Sequence, residues 1–133
     1  MSNPTFVQGP ISLQVAEKVE KYTLVSLGED GKIKPAGATG PVFGAVTEIG
    51  APKSTDGKPD LKPDHVAVHY GPAAVKLKVA GGDASEFKPG KAVYAAANGE
   101  VSATGTSPIG VAVCVTDDRV LTVLNGLPTA TAE

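Results

Sequence analysis

Residues 91–115, KAVYAAANGEVSATGTSPIGVAVCV, constrain the fold more than any other stretch. They read as strand, turn, strand, loop, strand. Residues 91–95 are a short apolar-rich run. Asn98-Gly99 predicts a hairpin, because both central residues of a type I′ turn need a positive φ, which Asn and Gly tolerate. Residues 100–104 alternate between outward and inward positions. Thr106-Ser107-Pro108 interrupts the pattern, and residues 109–115 form a nearly unbroken apolar strand. An earlier stretch, residues 25–47, is a degraded copy of this unit. Asp30-Gly31 stands where Asn98-Gly99 stands, and Lys32-Ile33-Lys34 where Glu100-Val101-Ser102 stands. Gly37 matches Gly105, Pro41 matches Pro108, and Phe43-Gly44-Ala45 matches Ile109-Gly110-Val111. Downstream, residues 64–68 echo residues 118–122, and each run is followed by a Gly and then a Pro. Two copies are too few for a solenoid, so they predict two halves closing on one core.

The rest of the chain supports a small all-β domain, a compact β-barrel or β-sandwich with at most one short helix. A length of 133 residues fits one domain. There is no Trp, so the core must be built from Val, Ala, Leu and Ile. Frequent Gly and Pro with abundant Val and Thr favour short strands joined by turns, and no window holds a long run at helical spacing. The expected organisation is an N-terminal arm (1–10), one β domain (11–126) and a C-terminal tail (127–133). Within the domain lie repeat-like halves at about 21–72 and 89–128 and an exposed, Pro- and Lys-rich insertion at 49–63.

Residues 11–16 alternate, with Ile11, Leu13 and Val15 on one face, and read as a half-buried strand. Residues 22–27 and 42–48 complete the first unit. In residues 65–70, Val66, Val68 and Tyr70 share a face, which leaves His65 and His69 on the other. In residues 73–79, Val75 and Leu77 point in, and Lys76 and Lys78 point out. Residues 81–90 form a loop with at most one helical turn, around residues 84–87, which Asp83 is placed to cap. Val111, Val113 and Val115 share a face opposite Ala112 and Cys114. With both faces apolar, the strand is expected to be covered on both sides and Cys114 to be a small buried hydrophobe.

The charge pattern excludes several function classes. The net charge of −2 with mixed signs predicts no general attraction to nucleic acid or to an anionic membrane. A single cysteine rules out an internal disulfide and points to synthesis in a reducing compartment. The first ten residues lack the basic-then-apolar pattern of a secretory signal, and no stretch approaches the ~20 apolar residues of a membrane-spanning helix. Chemistry is equally sparse. The 105–110 segment, GTSPIG, spaces its glycines one residue too far apart for a nucleophile elbow, and Pro108 blocks the required turn. Gly90-Lys91-Ala92 lacks the other parts of a phosphate-binding loop. Asp56, Asp60 and Asp64 lack the calcium-loop pattern. The expectation is a non-enzyme with no cofactor and no metal.

The assembled pattern resembles the tailed-phage head decoration, or capsid cement, proteins. The resemblance rests on Phe6-Val7-Gln8-Gly9, on Gly44-Ala45-Val46, and on Gly90-Lys91-Ala92-Val93-Tyr94. It continues through Asn98-Gly99-Glu100-Val101, Thr104, and Ile109-Gly110-Val111-Ala112, and ends in the valine-rich run 120–124. It is best over residues 87–126, and the long 49–63 insertion departs from it. It implies a structural virion protein, made in the host cytoplasm and placed on the outer surface of the expanded phage head. There it bridges major capsid protein subunits, as a homotrimer. The resemblance places the capsid contact on the N-terminal arm, at Thr5, Phe6, Val7 and Gln8. The alternative is a non-catalytic module on the virion that recognises host-surface carbohydrate.

Overall fold

The computed structural model describes residues 10–53 and 62–124. They form ten strands in two five-stranded antiparallel sheets. The first sheet contains β1 (Ile11–Gln14), β2 (Thr23–Leu27), β3 (Ile33–Pro35), β4 (Gly44–Val46) and β5 (His65–His69), in the order β1-β5-β4-β2-β3. The second contains β6 (Ala74–Lys78), β7 (Ala92–Ala95), β8 (Val101–Ser102), β9 (Pro108–Thr116) and β10 (Arg119–Leu124), in the order β6-β10-β9-β7-β8. The second order is the first with every strand number advanced by five. The all-β expectation holds, and helix is confined to one-turn 3-10 segments at Ala80–Gly82 and Ala97–Gly99.

The two sheets agree residue by residue in register. Val25 faces Gly44 as Val93 faces Gly110, and Leu27 faces Ile33 as Ala95 faces Val101. Ala45 faces His69 as Val111 faces Val123, and Ile11 faces Val68 as Val75 faces Thr122. Each sheet also joins its two outer edges by a parallel bridge, Val15 to Ile33 in the first and Val79 to Val101 in the second. The Ala16 N–H donates to the Ile33 carbonyl at 2.7 Å beside the first bridge. Joining the edges leaves few unpaired N–H and C=O groups as a template for other strands.

The glycines of the repeated Gly-Ala/Val segments explain why the match is kept. A Cβ on Gly44 would overlap the His69 carbonyl oxygen and come within 3.0 Å of Val68 Cγ1. A Cβ on Gly110 would overlap the Val123 carbonyl oxygen and come within 2.9 Å of Thr122 Cγ2. These are corresponding atoms in the two halves. Each glycine lets its strand approach the neighbour more closely than any side chain allows.

In place of the single core expected of the two halves, two apolar clusters fill the interior of the described residues, because each half closes on itself through its own edge bridge. Val15, Val19, Val25, Ile33, Val46, Val66 and Val68 pack inside the first half. The larger cluster draws Val75, Leu77, Val93, Ile109, Val120 and Leu124 from the second half, and Leu24, Ala36, Val42 and Ala45 from the first. Strand β2 therefore serves both clusters: Leu24 points into one and Val25 into the other, and both are fully buried. The halves are also tied by backbone bonds. The Gly99 N–H donates to the Ala36 carbonyl, and the Lys78 N–H to the Tyr22 carbonyl, each at 2.7 Å.

The two turns that mark the repeat are built differently. Asn98 (φ 59°) and Gly99 (φ 76°) are both left-handed, and the Glu100 N–H donates to the Ala97 carbonyl, as a type I′ turn requires. Of the corresponding Asp30-Gly31 pair only Gly31 is left-handed (φ 79°), and its N–H donates to the Gly28 carbonyl. Asp30 stays out of that region and accepts the Lys32 N–H on its carboxylate at 3.1 Å. This matches a three-residue loop ending in a left-handed glycine. The second-half connection between β9 and β10 is a tight Asp117-Asp118 turn, whereas the first half spends residues 47–64 on the equivalent link.

A second expectation fails. Strand β9 is not covered on both sides, and Cys114 is exposed. A bulge turns Cys114 outward: Leu121 faces Cys114, but the next residue, Thr122, faces Ala112, so Val113 is left unpaired. One extra residue reverses the faces beyond it. Ala112 stays inside opposite buried Thr122, and Cys114 lies opposite Leu121 on the outer side. Val111, Val113 and Val115 are 37–43% exposed.

Candidate functional surfaces

Thr5, Phe6, Val7 and Gln8 lie outside the described residues, as do the C-terminal tail and residues 54–61, which include Asp56 and Asp60. Among the described residues no group of three His, Cys, Asp or Glu side chains is placed to hold a metal. His65 and His69 lie on the same side of β5, His65 exposed and His69 half-buried. The Asp64 carboxylate lies 3.1 Å from His65 Nδ1, and that hydrogen bond holds its pKa below the usual aspartate value.

The seam between the halves carries the most unusual local geometry. Tyr22 has a φ of 62°, a conformation that costs a bulky residue of order 1–3 kcal/mol. Two contacts hold it there. Its carbonyl accepts the Lys78 N–H, and its ring lies under the Arg119 guanidinium, 4.4 Å from the centroid. Such a cation–π contact contributes about 0.5–1 kcal/mol at an exposed site. Lys78 Nζ also lies 3.7 Å from the Glu100 carboxylate. A shallow groove follows this seam, lined by Glu20, Lys21, Ile49, Lys78, Asp118 and Arg119. Its charges are of mixed sign.

Asp83 caps the turn over residues 84–87, as expected. Its carboxylate accepts the Ser85 N–H at 3.0 Å, and the Phe87 N–H donates to the Ala84 carbonyl at 3.2 Å. The Ser85 bond lowers the Asp83 pKa below the usual aspartate range. A carboxyl depressed in the folded state stabilises above its unfolded pKa, and the contribution disappears as pH falls through the folded value. Asp83→Asn should therefore lower the melting temperature slightly at neutral pH. The gap between the two proteins should close as the pH falls through and below the usual aspartate range. Thermal melts of both proteins across the acid range check this.

The remaining surface feature is apolar. Val111, Val113, Val115 and Val123 are the exposed large hydrophobics among the described residues. Val111 and Val123 face each other across β9 and β10, with Ala74 beyond on β6 and Ala92 beyond on β7. The sequence puts the three β9 valines on one face of a strand covered on both sides. The bulge divides them, with Val111 opposite outward Val123 and Val115 opposite buried Val120, and it leaves no sequence signal.

No family model matches the chain, and no curated protein matches it. Among solved structures, the chain is similar to the N base of the head fibre protein gp8.5 of bacteriophage phi29. The match has a TM-score of 0.60 and covers 92% of this chain and 98% of that one, at 18% identity. At that identity the likeness establishes a shared fold.

Proposed function

We propose that the chain is a structural protein of a bacteriophage virion, carried on the outside of the head. In this reading it binds the expanded shell, bridges neighbouring major capsid protein subunits, and acts as a homotrimer. It makes and breaks no covalent bond. The observation that carries the reading is the near end-to-end match, in both chains, to the base of a phage head fibre. The construction suits such a role. Two small β-units welded through shared residues make a stiff body from small side chains, and the joined sheet edges resist unwanted strand pairing. Each copy then needs only modest affinity, because an oligomer engages several shell subunits at once.

Thr5, Phe6, Val7 and Gln8 are proposed as the contact with the shell. Deleting residues 1–9 should leave the circular dichroism spectrum and melting temperature of the body unchanged. It should reduce co-sedimentation with purified expanded heads at least tenfold. Undiminished occupancy by the shortened chain would reject the arm as the anchor.

A further inference from the structure

We propose that one end of the first sheet, a patch of Ile11, Leu13, Leu27, Phe43 and Tyr70, is the seat of the body on the shell and takes an apolar protein surface of aliphatic side chains. The inference rests on the shell-binding reading above and names the part of the body that completes the contact begun by the arm.

The antiparallel order β1-β5-β4-β2 brings the start of β1, the end of β5, the start of β4 and the end of β2 to one end of the sheet. Ile11 opens β1, Tyr70 follows β5, Phe43 precedes β4 and Leu27 closes β2. Leu13 lies two residues along β1, on the same side as Ile11. The Phe43 and Tyr70 rings are 6.1 Å apart, and Leu13, Leu27 and Phe43 pack against the first apolar cluster. All five patch residues are only partly buried. Their counterparts in the second half, by register, are Val75, Leu77, Ala95, Ile109 and Leu124. Each of these is at most 5% exposed, and all belong to the cluster that includes Leu24, Ala36, Val42 and Ala45 of the first half. The same end of the same sheet is thus closed by protein in one half and left open in the other.

The cover in the second half and the path of the chain select the occupant. In the second half the covering side chains from the first half are aliphatic throughout, so the open end fits a surface of the same chemistry. Gln8, the last residue of the proposed shell contact, stands three residues before Ile11. Three residues span at most about 10 Å. A shell surface that holds residues 5–8 therefore lies beside the patch. Area points the same way. A specific interface buries about 800 Å² on each partner, and four residues of an arm fall short of that, so the body has to contribute. Phe43 and Tyr70 are the kind of aromatic side chain enriched in interface cores.

The test is hydroxyl-radical footprinting read by mass spectrometry, on the full chain free and bound to purified expanded heads. Binding should slow the oxidation of Phe43 and Tyr70 at least fivefold. Phe43→Lys should reduce co-sedimentation with heads at least tenfold and keep the circular dichroism spectrum. Footprinting needs no substitution, so the test holds even where that variant fails to fold. A chain that binds heads while Phe43 and Tyr70 oxidise as in the free protein would reject this seat and leave the shell reading standing. A chain that does not bind heads at all would overturn both. Protection that appears without heads as the protein is concentrated would mark a second copy as the occupant and reject the shell there. Faster oxidation of Phe43 in a free chain lacking residues 1–9 would mark the arm as the occupant and reject the shell equally.

Discussion

Alanine at Gly110, or at Gly44, lowers stability by about 3 kcal/mol, the upper end of the usual cost of overpacking. In a chain of this size that corresponds to a drop in melting temperature of roughly 10 °C. The added methyl group at either site meets a backbone carbonyl oxygen on the adjacent strand, Val123 for Gly110 and His69 for Gly44. A carbonyl in a sheet ladder cannot swing aside as a flexible side chain does, so the strands must separate and lose hydrogen bonds. Because the two sites correspond, the two substitutions should cost similar amounts. Gly37, where an added Cβ meets nothing within 4 Å, serves as the control, and alanine there should be nearly neutral. Denaturant unfolding of the three variants is the measurement. A neutral Gly110→Ala would mean that β9 and β10 are not as close as described.

Leu24→Ala should cost about 3–4 kcal/mol, within the range for a fully buried leucine. Leu24 is a first-half residue packed in the larger cluster with Val75, Leu77, Val93, Ile109 and Leu124. The cavity it leaves lies where the halves join, next to the Gly99 N–H bond to Ala36. The variant should still unfold in one transition, only earlier, because Val25 on the same strand holds the other cluster. The check is urea unfolding followed by two probes, one in each half. Separate midpoints in the native protein would show that the halves fold independently and that the shared cluster does not couple them.

Much of the architecture was readable from residue order. Asn98-Gly99 marked a turn whose two left-handed residues are present, and the Gly44 and Gly110 echo marked two strands at corresponding places. The alternation in β1, β5 and β6 put Val66, Val68, Val75 and Leu77 inside. Three features were not readable, each for a physical reason. The strands β1 and β6 occupy equivalent positions, but ISLQ and AVKLK share too little side-chain chemistry for the match to show. The bulge at Val113 sits in an all-apolar run, where alternation carries no phase, so the sequence does not show that Cys114 leaves the face of Ala112. Tyr22 adopts a left-handed φ because tertiary contacts from Lys78 and Arg119 hold it there, and nothing in the sequence around it demands that conformation.

The account depends on adhesion to a protein shell, and electron cryo-microscopy of isolated phage heads tests that most directly. Heads lacking the chain would be imaged before and after adding it. The prediction is new density on the outer surface, sized for the two-sheet body and seated where shell subunits adjoin. Unchanged heads at saturating protein, or density confined to the interior of the shell, would contradict it.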